Sequence, residues 1–365
     1  MQDAFVKPLL EWYQTAKRDL PWRHTKDPYS IWISEIMLQQ TRVEAVKGYY
    51  TRFLAALPDV RALAGCPEDV LMKLWEGLGY YSRARNLKRA AGQIIADGGY
   101  FPETREELLK LKGIGPYTAG AIAAIAFGQP TPAVDGNVLR VYARMNAMKE
   151  NVLAPGVRKR AEEELGRAMQ GLTASENGDF VQAMIELGAI VCVPNGEPLC
   201  GRCPAADDCE ALRLGIQAEL PLRKKDTKRR IEKLTVLLVR DGSRTAIRRR
   251  AEKGLLAGLF EFPNVPGYLD REAAVRYIEE QGIEVLRIRE AGEAKHLFSH
   301  VEWHMSGYEI RVAPLDEGIS ESGQWLFVEN DEIEKRFAIP SAFSTYADYL
   351  ALHTAPFAQN RKGKG

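Results

Sequence analysis

No stretch of this sequence is long and apolar enough to span a bilayer. The longest small, apolar run, Ala119 to Phe127, is about half the ~20 residues a crossing requires, so it predicts a buried helix instead. Nothing at the N-terminus resembles a secretory signal and cysteine is scarce, five in 365 residues, so a disulfide framework is not expected and the chain reads as soluble and cytosolic. An excess of either charge is missing too. Lys and Arg total 50 against 49 Asp and Glu, a balance that neither demands nor excludes a polyanionic partner, because local patches govern such contacts. Internal repeats and low-complexity tracts are absent. What remains is a 45% apolar chain, too long for one ordinary core, which implies two domains.

Four of the five cysteines nevertheless fall inside eighteen residues, Cys192, Cys200, Cys203 and Cys209, at gaps of seven, two and five, with Cys66 far upstream. Thiolates crowded into one loop can converge on a single inorganic centre, and four sulfurs complete the ligation of a cubane [4Fe-4S] cluster. Tetrahedral zinc is the main competitor. Structural zinc sites usually draw on two short Cys-x-x-Cys knuckles far apart in sequence, whereas only Cys200 and Cys203 make such a pair, so the spacing favours iron–sulfur.

Up to about residue 216 the apolar pattern is helical, as in Ala4 to Ala16, Tyr29 to Val46, Arg83 to Ile95 and Val157 to Met169. Beyond it the texture changes. Leu234 to Val239 and Trp303 to Val312 read as strands, Asp241-Gly242 as a hairpin turn and Arg271 to Gln281 as a helix. Six of the eight residues Arg223 to Arg230 are basic, a solvated linker or a phosphate contact. The expected organisation is an all-α domain over 1–216, a basic linker over 217–231, an α/β domain over 232–355 and a frayed tail over 356–365.

Within the helical half, 111–119 (Leu-Lys-Gly-Ile-Gly-Pro-Tyr-Thr-Ala) sets Gly113 and Gly115 between the end of one helix and the start of the next. Both glycines can take conformations closed to other residues, and amides at the start of the second helix form a ready phosphate site, although such turns also serve merely as caps. Twenty residues past Gly115, Asp135 and Asn137 are placed to cap a further helix.

Together the hairpin, the downstream aspartate and the closing cysteine cluster resemble the helix-hairpin-helix DNA glycosylases of the endonuclease III superfamily. Leu20-Pro21-Trp22-Arg23, the run Trp32 to Thr41 (Trp-Ile-Ser-Glu-Ile-Met-Leu-Gln-Gln-Thr) and Trp75 to Leu87 (Trp-Glu-Gly-Leu-Gly-Tyr-Tyr-Ser-Arg-Ala-Arg-Asn-Leu) narrow the resemblance to the MutY-type adenine DNA glycosylases. It extends to His296-Leu297-Phe298-Ser299-His300, and Gly254 to Pro263 resembles the Nudix-like domain that such enzymes append. The implied fold class is a multi-domain chain: an all-α helix-hairpin-helix glycosylase domain with an iron–sulfur loop, plus an α/β Nudix-like C-terminal domain.

The implied activity is hydrolysis of the bond between adenine and its sugar, opposite 8-oxoguanine or G in double-stranded DNA, by a monomer acting in the cytoplasm on the nucleoid. The adenine must be flipped out to be reached. Bifunctional relatives carry a lysine where Tyr117 stands, so no Schiff base forms by that route and the strand stays intact. By resemblance, Glu35 protonates adenine and later activates water, Asp135 stabilises or bonds the oxocarbenium-like sugar, and Asn137 orients Asp135 or the water. Apolar neighbours should raise the Glu35 pKa, whereas Asp135, at a helix start, should ionise more readily. Arg23 and Gln182 line the implied adenine pocket. Gln39, Gln40, Thr41 and Tyr80 match intercalating and wedge residues, and Phe298, Ser299 and His300 read 8-oxoguanine. The four cysteines hold the cluster, although the family's first gap is six residues rather than seven. A working Nudix hydrolase needs paired glutamates where Val275 and Arg276 stand, so the second domain is expected to recognise rather than hydrolyse.

Overall fold

The computed structural model describes residues 3–223, 229–315 and 325–352. Most of the basic run (224–228) and the whole expected tail lie outside the described residues. Packing divides the chain into two units, Met1–Gly65 with Arg85–Lys225, and Cys66–Ala84 with Asp226–Gly365. The segment Cys66–Ala84 is continuous in sequence with the helical half yet packs with the second unit.

The first unit is built of helices around Pro116–Phe127, which is buried from Thr118 to Ile125. A helix this apolar on every side can only be a central one. Against it lie Pro28–Leu38 and Ala174–Ile190, and the latter also packs on Gly136–Met145. Glycine sets the spacing. A Cβ at Gly120 would lie 2.3 Å from the Pro132 carbonyl oxygen, and one at Gly188 would lie 2.6 Å from the Asn137 Cβ. The second approach seats the start of Gly136–Met145 directly on Ala174–Ile190. The helix expected over Tyr29 to Val46 is in fact two, Pro28–Leu38 and Val43–Ala56, because Gln40 turns left-handed (φ 59°) between them.

The second unit is a mixed sheet of β1 (Arg230–Asp241), β2 (Arg244–Arg249), β3 (Phe260–Glu261), β4 (Asn264–Pro266), β5 (Val285–Leu297), β6 (Val301–Val312) and β7 (Leu326–Glu329), with central order β3-β2-β1-β6-β5. β1 runs parallel to β6 and β5 antiparallel to it. Alternate residues of β1 enter two cores on opposite faces, Leu234, Val236 and Leu238 on one, Leu237 and Val239 on the other. The helix Arg271–Glu279 covers the second face through Ala274 and Ile278. Asp241 and Gly242 make the β1–β2 turn, with Gly242 left-handed (φ 59°).

Glycine substitutions test these packing distances in opposite directions. Gly120→Ala is expected to destabilise the protein by about 1–3 kcal/mol through overpacking. Gly92→Ala, on the exposed side of the helix Ser82–Ala96 with nothing within 4 Å of the new Cβ, is expected to stabilise by about 0.5–1 kcal/mol. Urea melts of the two variants beside the parent provide the comparison.

Candidate active site

A cleft of about 580 Å³ opens in the first unit, and nine of the residues singled out from the sequence line it: Arg23, Glu35, Gln39, Gln40, Thr41, Tyr117, Asp135, Asn137 and Gln182. Glu35 comes from the buried helix Pro28–Leu38, whose start is fixed by Asp27 accepting the Ser30 amide at 2.8 Å. The carboxyl sits among apolar neighbours, and burial pushes its pKa up to about 7. The Tyr117 hydroxyl donates to Glu35 Oε2 at 2.6 Å and pulls the other way, as does the charge of Arg23. Tyr117 itself is pushed well above the usual phenol value by burial and by the two carboxylates, so it stays a neutral donor.

Asp135 caps the helix Gly136–Met145. Its Oδ1 accepts the Val138 amide and its Oδ2 the Asn137 side-chain amide, both at 2.8 Å. Both oxygens are thus oriented before any substrate arrives. Burial pushes this carboxyl up as well, against the bonds from Val138 and Asn137 and the charge of Arg140. Arg140 supports the arrangement from behind, donating to Asn137 Oδ1 (2.8 Å), the Gly188 carbonyl (2.7 Å) and the Cys192 carbonyl (2.7 Å).

Three charged cleft residues, Arg18, Arg158 and Glu186, escaped the sequence reading. Glu186, buried one turn beyond Gln182, is gripped by Arg18 (Nε–Oε1 2.8 Å, Nη2–Oε2 2.7 Å) and by Arg23 (Nη2–Oε2 2.8 Å). Burial pushes its carboxyl up, but these bonds and the Arg18 amide outweigh burial and hold it at about 2. The guanidinium of Arg23 is therefore committed to Glu186 rather than free in the cleft. A lone glutamate in the apolar run Phe180 to Ile190, four residues after Gln182, was the available signal.

Cys192, Cys200, Cys203 and Cys209 surround one apolar cavity, walled further by Val141, Leu187, Val191 and Leu212. Burial, and to a lesser extent the neighbouring cysteines, push the Cys203 thiol up to about 12. Among the described residues, no three His, Cys, Asp or Glu side chains gather tightly enough for one metal ion. Arg144 Nη1 donates to Cys192 Sγ at 3.2 Å and to the Val193 carbonyl at 3.0 Å.

On the hairpin, Gly113 is left-handed (φ 80°), and a Cβ there would meet the Asn86 Cβ at 2.6 Å. Gly115 corrects its expectation. Its φ of −95° is open to any residue and nothing lies within 4 Å of an added Cβ. In the second unit, Phe298, Ser299 and His300 form the turn between β5 and β6. Phe298 packs beneath it on Trp303 (ring centroids 4.8 Å), while Ser299 and His300 are exposed. The Tyr80 hydroxyl stands 3.3 Å from Ser299 Oγ.

Residues 33–167 match the HhH-GPD superfamily of base excision DNA repair proteins, and residues 235–349 match the NUDIX domain. An adenine DNA glycosylase of Arabidopsis thaliana is 35% identical over 80% of this chain, which spans 55% of that protein's length. One of Mus musculus is 33% identical over 95% of this chain and 78% of that protein. This chain belongs to the adenine DNA glycosylase family. A solved thermostable thymine-DNA glycosylase, 31% identical, superposes with a TM-score of 0.52 over 58% of this chain and 96% of that one. In this adenine DNA glycosylase family member, Glu35 and Asp135 line one cleft.

The folded pKa of Glu35, about 7, lies above its ordinary 4.5, so the native state holds this proton more tightly than the unfolded one. Stability from this group is therefore full below about 4.5 and falls as pH rises to about 7. Glu35→Gln, which still accepts from Tyr117, removes that loss. It is expected to be more stable than the parent at pH 8 by up to about 3 kcal/mol, with little difference at pH 4. Urea unfolding at both pH values measures this, and an equal difference at both would assign the effect to packing alone.

Proposed function

We propose that this chain excises adenine paired with 8-oxoguanine, or with G, from double-stranded DNA by hydrolysing the base–sugar bond. The observation that carries the reading is that a carboxyl kept neutral by burial opens into the same cleft as Asp135, whose two oxygens are already oriented. Adenine leaves only when a ring nitrogen is protonated, and its departure leaves positive charge on the sugar. Glu35 supplies the proton, and Asp135 lies against the developing cation, held by Asn137. After departure the Glu35 carboxylate accepts a proton from water. Gln182 and the Glu186-bound Arg23 line the base pocket, while Gln39, Gln40 and Thr41 enter the stack.

The hairpin at 111–119 offers amides to phosphate. Tyr80, Phe298, Ser299 and His300 read the opposite base, and the strand remains uncut because Tyr117 replaces an amine. The protein acts as a monomer on nucleoid DNA in the cytoplasm. Cys192, Cys200, Cys203 and Cys209 hold a [4Fe-4S] cluster, which when bound supplies four iron–thiolate bonds that close the 192–209 loop. The single apolar cavity walled by all four thiols supports that ligand set.

Incubation with a duplex containing one A opposite 8-oxoguanine, followed by alkali, should reveal a single abasic site. The single-turnover rate should fall as pH rises through about 7, where Glu35 gives up its proton. A rate independent of Glu35→Gln would reject the mechanism, and a borohydride-trapped adduct forming as fast as excision would reject the monofunctional reading. Purified protein should carry about four irons per chain. Cys203→Ser should lose iron together with DNA affinity.

A further inference from the structure

The segment Cys66–Ala84 is fastened to the second unit by side-chain bonds to main chain. Glu76 is buried at 3% exposure, and its Oε1 accepts the Ile339 amide at 2.8 Å. Its Oε2 accepts Lys73 Nζ at 2.6 Å, and the same ammonium donates to the Phe337 carbonyl at 3.1 Å. A carboxylate and an ammonium three residues apart, Lys73 in the last turn of the helix Glu68–Leu74 and Glu76 just past its end, thus bracket the backbone at 337–339. Ion pairs as enclosed as this give little net stability over an apolar pair, and burial pushes the Glu76 carboxyl up to about 7 against the pull of Lys73 and the Ile339 amide. What the pair does supply is a fixed register.

Two arms leave this point and meet again. One is the turn Gly77 to Tyr80, with Gly77, Gly79 and Tyr80 all left-handed (φ 91°, 67° and 47°). Trp75 Nε1 donates to the Gly79 carbonyl at 3.1 Å and Arg83 to the Leu78 carbonyl at 2.8 Å, which stiffens the turn. The other arm runs from buried Ile339 into Ser341–Phe343, where Phe343 packs on Trp303 (5.9 Å) and Trp303 on Phe298. They close where the Tyr80 hydroxyl faces Ser299.

We propose that Glu76 is a positioning residue for reading the base opposite the excised adenine, because its bond to Ile339 sets where the Tyr80 turn meets the Ser299 turn. This rests on the reading that Tyr80 and Ser299 face that base. Glutamine at 76 keeps an acceptor for the Ile339 amide, whereas aspartate keeps the charge but is one methylene too short to hold both partners.

The test uses the full chain with its cluster and measures single-turnover excision of A opposite 8-oxoguanine and A opposite G, taking the ratio as discrimination. Glu76→Asp is expected to lower the ratio about tenfold and Glu76→Gln to hold it within about twofold. In Glu76→Asp/Tyr80→Ala the ratio should be no lower than in Tyr80→Ala alone, since coupled groups are non-additive. A melting curve on each variant confirms folding. A ratio that follows charge, preserved by aspartate and lost by glutamine, would overturn the positioning role, as would additive losses in the double variant. If Tyr80→Ala leaves the ratio untouched, the reading beneath the proposal fails instead, and the role assigned to Glu76 goes with it.

Discussion

A carboxyl group that keeps its proton near neutral pH is the constraint around which the first unit is organised. Water would strip that proton, so the helix carrying Glu35 is buried from Ile31 to Met37 and its single hydrogen-bond donor is a phenol rather than a cation. Three arginines nevertheless line the same cleft: Arg158 donates to the Val134 carbonyl, while a free guanidinium of Arg18 or Arg23 beside Glu35 would ionise it. Glu186 resolves the conflict. By accepting from both Arg18 and Arg23 it holds their charge in a compact ion cluster, leaving burial as the largest influence on Glu35.

The second carboxylate is positioned differently, by bonds rather than by exclusion of water. Asp135 is held by its own helix, and the helix by glycine: only the missing side chain at Gly188 allows Asn137 to approach Ala174–Ile190 so closely. Arg140 then joins Asn137 to the carbonyls of Gly188 and Cys192. Three of its donors lie in one plane of bonds, a geometry that lysine cannot reproduce. The backbone of Cys192, first cysteine of the loop, is thereby linked to the carboxylate through two side chains, Arg140 and Asn137.

Much of this was legible in the sequence because it depends on local chemistry. An all-α half followed by a strand-rich half, the capping role of Asp135, the apolar setting of Glu35 and the convergence of four cysteines on one cavity each follow from short-range pattern. What escaped depends on tertiary packing. Glu186 looks like an ordinary helix charge until Arg18 and Arg23 are brought to it from 163 to 168 residues away. The break at Gln40 was hidden because its neighbours are good helix formers. Gly115 was assigned a freedom it does not use, since a Gly-x-Gly turn needs only one left-handed residue and Gly113 provides it. The packing of Cys66–Ala84 with the second unit was invisible for the same reason: Glu76 meets Ile339 across 263 positions.

Two of the residues singled out from the sequence break local backbone rules. Gln40 and Tyr80 adopt left-handed backbone without being glycine, and each such residue costs on the order of 1 kcal/mol or more. A neutral carboxylic acid in an apolar helix adds a further penalty whenever the pH favours its ionisation. Strain of this kind persists only where surrounding structure over-determines it. Here it is supported by close packing at Gly120 and Gly188 in one unit and by the two-faced core of the sheet in the other. Stability in the apolar layers of each unit therefore permits an unfavourable backbone at its own turn, and relaxing either Gln40 or Tyr80 into a regular helix would redirect the side chain that its turn presents.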